Sequence, residues 1–179
     1  MKQPEACNVK PPRKVVMLLT VAGAIPFVVL AIALYVMTGS VAPIEAQSQV
    51  FQVKLLLGSY GVVIATFVAG SHWGNIIAQM STHANASQVV GVSRYSPWPL
   101  SILILSNIFT LTLWGVWVLG TFQQLLLGLT VLFPLLLSVD YALYREHTVW
   151  RQYFYLRVII TAIVVVALLT SYRVSGLLP

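Results

Sequence analysis

Tyr60-Gly61-Val62-Val63-Ile64-Ala65-Thr66-Phe67-Val68-Ala69-Gly70-Ser71-His72-Trp73-Gly74 decides the fold. It lies in an apolar run from about Leu55 to Ala78, long enough to cross a bilayer as one helix. Small residues recur along it every three or four positions. Gly61, Ala65 and Ala69 share one face, which Gly58 precedes and His72 continues. Thr66, Gly70 and Gly74 form a second stripe at the same spacing. Small residues let helix backbones approach closely in lipid, where packing rather than water drives association. Two stripes lead us to expect helix neighbours on both sides.

The rest of the chain agrees with a membrane setting. Of 179 residues, 59% are hydrophobic and only 8% charged, against about 25% charged in a soluble domain. The apolar runs do not alternate with polar residues as barrel strands do. We therefore expect an all-α, polytopic bundle of five transmembrane helices at about 15–37, 55–78, 99–119, 125–143 and 155–172. A short basic tail over 1–14 precedes a single domain over 15–179. The first run is too long for a signal-peptide core. Pro43 after Ser40-Val41-Ala42 is expected to block cleavage, so the run stays as a helix bent near Gly23 and Pro26. Breakers mark 38–54 as a loop, with room for a short interfacial helix. Polar residues mark 79–96 as a second loop. Gly120 to Gln124 reads as a tight turn, Pro134 as a kink, and 144–152 as a charged loop.

The net charge is +6, but the basic residues sit at helix ends and not in an aromatic-interleaved patch. This argues against nucleic acid and for a lipid bilayer. Five spans put eight of the ten basic residues on the side of the N-terminus. The positive-inside rule then sets the N-terminus in and the C-terminus out. Tyr35, Tyr60, Trp114, Trp117 and Tyr172 are expected toward the outer interface.

That orientation puts His72, Asp140, Arg157 and Asn107 in the inner half of their helices. A lone charge at a helix centre costs about 2.5–3.5 kcal/mol on insertion scales. Asp140 is therefore expected to accept hydrogen bonds from Arg157, with His72 joining or flanking the pair. This cluster is either structural or functional. Asn107, Thr110 and Thr112 suit interhelical or back-bonding roles. No metal site or cofactor is expected: one intramembrane histidine cannot hold haem from both sides, and the single Cys7 excludes an internal disulfide. No phosphate loop or nucleophile elbow occurs.

Several patterns together resemble the transmembrane protein 69-like family, small multi-spanning membrane proteins of bacteria and mitochondria. They are Gly23-Ala24-Ile25-Pro26-Phe27, then Phe67-Val68-Ala69-Gly70-Ser71-His72-Trp73-Gly74, then Asp140, and Tyr153-Phe154-Tyr155-Leu156-Arg157 with Thr161. The chain departs from the family pattern at Ala69, where the family often has glycine, and over Trp150-Arg151-Gln152-Tyr153. The resemblance implies a multi-spanning fold and supplies no activity, substrate or cofactor.

Three functions compete. The first is a non-catalytic accessory subunit or assembly factor of a larger inner-membrane complex, bacterial or mitochondrial, with other integral membrane proteins as partners. The second is a small transporter or proton conductor using His72, Asp140 and Arg157. A membrane enzyme is the weakest, because only those same residues would serve it.

Overall fold

A computed structural model describes residues 13–39, 44–90, 98–145 and 151–175. They form six helices: α1 (Arg13–Ala22), α2 (Ile25–Gly39), α3 (Ile44–Val90), α4 (Trp98–Leu119), α5 (Phe122–Arg145) and α6 (Arg151–Ser175). Five stretches are long and apolar enough to cross a membrane: Arg13–Met37, Ser48–Ile77, Leu100–Leu119, Phe122–Arg145 and Arg151–Ser175. Residues 1–12 of the basic tail, the breakers over 40–43 and most of the charged loop lie outside the described residues, while Arg13 and Lys14 open α1.

The first span is split between α1 and α2. The break falls at Gly23–Ala24, just before Pro26, which has no N–H to give to the carbonyl of Ala22. At the second position of α2 this proline costs little, because the first turn has spare donors anyway. The chain tightens there, with Ala24 N–H bonding the Val21 carbonyl at 3.0 Å. The hydroxyl of Tyr60 donates to the Gly23 carbonyl at 2.9 Å. Tyr60, expected toward the outer interface, is thus tied into the bundle. Its ring meets Phe27 edge-on at 5.1 Å, and Phe27 meets Phe133 in the same way at 5.6 Å.

The largest departure from expectation is α3. It runs for 47 residues, about 70 Å at 1.5 Å per residue, more than twice a hydrocarbon core of about 30 Å. It absorbs much of the stretch read as a loop over 38–54 and of the polar stretch over 79–96. Polarity alone does not end a helix; a helix stops more readily where glycine or proline weakens or removes its hydrogen bonds. None occurs from Asn75 to Val90, so the backbone keeps its ladder beyond the apolar run.

A two-residue turn joins α4 to α5 and folds them back on each other. Thr121 Oγ1 accepts the N–H of Gln124 at 3.3 Å, and Gln124 Oε1 accepts the N–H of Thr121 at 2.9 Å. This reciprocal pair satisfies two donors that the start of α5 would leave open. The helix α5 continues through Pro134. It lies at the centre of the bundle, against α3, α4 and α6, while α2 packs on α3 and α6. At the other end of α5, Tyr144 stacks on Phe154 of α6 with ring centroids 4.9 Å apart.

The core is built from Phe27 and Leu34 of α2, Leu57 of α3, Leu126 and Leu129 of α5, and Leu168 of α6, all fully buried. Large apolar residues such as Phe67, Leu111 and Val166 point outward, as suits a lipid-facing surface.

Candidate functional site

The buried face of α3 carries Gly58, Gly61, Ala65, Ala69 and then His72. The glycines let α5 approach. A methyl group on Gly61 would come within 2.5 Å of Leu129 Cδ1. One on Gly58 would come within 2.6 Å of the Trp117 ring and 2.8 Å of Leu125. This close seating brings the imidazole of His72 to the carboxyl group of Asp140 on α5.

His72 Nε2 lies 2.8 Å from Asp140 Oδ1. Arg157 of α6 approaches the other oxygen, with Nε donating to Oδ2 at 2.9 Å and Nη2 at 2.8 Å. The site is closed: His72 is 0%, Asp140 5% and Arg157 8% exposed. With Asp140 as a carboxylate, every contact runs the same way, and Nε2–H of His72 is a donor. One aspartate and one arginine then balance each other in charge. The cost of burying either ion alone is offset by the other and by the hydrogen bonds between them.

The topology gives this triad its structural weight. Among the described residues, α3 and α6 share no backbone contact. Asp140 on the central α5 reaches both, so one carboxylate ties three helices. The remaining ring nitrogen, His72 Nδ1, is buried with no hydrogen-bond partner among the described residues. In the tautomer above, it is a bare acceptor.

Asn107 does not join this cluster, contrary to expectation. It is exposed on α4, and its Nδ2 donates to the Leu103 carbonyl of its own helix at 3.2 Å. Its neighbour Ser106 faces α3 instead and accepts the indole N–H of Trp73 at 2.8 Å. Successive helical residues are turned by about 100°, so one of the pair faces inward and the other away. Sequence reasoning misses Ser106. A tryptophan indole inside a span needs an acceptor, and that need is the signal that could have found it.

The second stripe of α3 also departs from expectation. Nothing lies within 4 Å of a methyl placed on Gly70 or Gly74, among the described residues. Gly70 follows Ala69 by one residue and is rotated off the buried face. It opens onto a groove of about 370 Å³ between α3 and α4. A wider apolar groove of about 600 Å³ lies between α2 and α6. Neither is lined by a member of the triad. No group of three or more histidine, cysteine or acidic side chains placed to hold a metal occurs among the described residues.

A family model described as a protein of unknown function, DUF3429, matches residues 12–172. No curated protein and no solved structure matches the chain.

Proposed function

The chain belongs to this family of unknown function, and from its own geometry we propose that it acts as a non-catalytic accessory protein of a larger membrane complex. In this reading it works as a subunit or assembly factor, through its outer helix faces. What carries the reading is the closure of the triad. All three members are buried and mutually bonded, and neither groove touches them. Charges used up in holding helices together are not free to bind or pass a substrate. The resemblance to the transmembrane protein 69-like family fits the same picture. So does placement in an inner membrane, with the N-terminus on the cytoplasmic side, or in its mitochondrial counterpart in a eukaryote. The test is purification of the tagged chain from its native membrane in mild detergent after mild crosslinking. We expect the same integral membrane partner in repeated preparations; a bare chain each time would oppose the proposal.

One observation favours a second reading. The Nδ1 of His72, without a partner among the described residues, is the kind of site that takes and releases a proton, so a proton-conducting role through His72, Asp140 and Arg157 is the alternative. Reconstituted in liposomes, such a protein would dissipate a pH gradient, and His72→Ala and Asp140→Asn would stop it. Flux unchanged by both variants would rule this out.

A further inference from the structure

The groove between α3 and α4 carries a polar mismatch that the described residues do not resolve. Its walls include Thr66, Gly70 and Trp73 on α3, and Ser106, Asn107 and Thr110 on α4. Nearly every donor there is spent internally. Thr66 Oγ1 donates to the Val63 carbonyl, Trp73 Nε1 to Ser106 Oγ, Ser106 Oγ to the Leu103 carbonyl and Thr110 Oγ1 to the Ser106 carbonyl. Asn107 is the exception. It gives one N–H to the Leu103 carbonyl, which leaves a second N–H and Oδ1 without partners among the described residues. Asn107 is the eighth residue of the Leu100–Leu119 span, about 10 Å from its start at 1.5 Å per residue. Its single methylene is too short to carry the amide out of the hydrocarbon. An amide left open to acyl chains is costly.

We propose that a second copy of this chain seats on this groove, related by a two-fold axis along the membrane normal, with the two Asn107 amides facing each other. Three points select that occupant. An acyl chain offers no hydrogen-bonding group. An amide is both donor and acceptor, so two of them satisfy each other across a two-fold axis. A second copy inserted with the same topology presents its Asn107 at the matching depth, a condition that any other helix would have to meet separately. The open backbone at Gly70 and Gly74 adds room for close approach. This pairing does not depend on the accessory role proposed above, whose own test is partner capture.

The test uses the full chain in its native membranes, with Cys7→Ser as background and one new cysteine at a time. Thr110→Cys, on the groove wall, is expected to form an oxidative crosslink whose mass is that of two copies. Ile163→Cys, in the opposite groove, is expected to stay uncrosslinked. Adding Asn107→Leu to Thr110→Cys should weaken the dimer roughly tenfold, with thermal unfolding of the purified chain unchanged, while Asn107→Gln should retain it. The proposal is overturned by a Thr110→Cys dimer no stronger than that at Ile163, or by an adduct with a different protein. It is also overturned if Asn107→Leu crosslinks as the parent does. The first comparison holds whether or not the asparagine variants fold.

Discussion

Asp140 is the residue on which the bundle depends most. Among the described residues it is the only buried acidic side chain, and it receives donors from both α3 and α6. Asp140→Asn keeps the shape but removes the charge, leaving the Arg157 guanidinium buried without a counter-ion. We expect a loss of about 3–5 kcal/mol, the cost of breaking a buried pair from one side, read as a lower midpoint in denaturing-detergent titration. A midpoint unchanged from the parent would show that the carboxylate carries no structural load. The need for this pairing is legible in the sequence, because an ionisable residue inside a span has few places to go and these three share a depth. What depth does not give is direction around the helix axis. That is why Asn107, at a similar level, is expected inside the cluster and instead lies on the outer wall.

Helix lengths and contacts follow from a few residues in each element. Gly58 and Gly61 set how closely α3 approaches α4 and α5. Gly58→Val drives a side chain into the Trp117 ring and Leu125 and should cost about 1–3 kcal/mol. At Gly128, by contrast, a methyl group would meet nothing within 4 Å among the described residues. Gly128→Ala should therefore be neutral or add up to about 1 kcal/mol through helix propensity. Comparing the two in one unfolding assay separates packing from propensity; equal effects would contradict the assigned close contacts. Thr121→Ala removes half of the reciprocal cap on α5 and should cost about 1 kcal/mol. Apolar runs and breakers make the five spans legible, and Gly23 with Pro26 marks the break in the first. The overrun of α3 is not legible in the same way. Hydropathy reports where a helix is in lipid and says nothing about where its hydrogen-bond ladder ends.

At the scale of the whole molecule, charge distribution and internal bonding say different things. The bias of basic residues toward the N-terminal side leads us to expect a C-terminal reporter outside the cytoplasm; a cytoplasmic signal would reverse the orientation without touching the packing. The packing has its own signature, because α3 and α6 are joined through α5 by one shared carboxylate. The most direct measurement is a double-mutant cycle between His72→Ala and Arg157→Gln, read as unfolding free energy. The two losses should fail to add by about 0.5–3 kcal/mol, as expected of groups sharing a partner, and this coupling should vanish when Asp140→Asn is added. Losses that simply add in the presence of Asp140 would contradict the account.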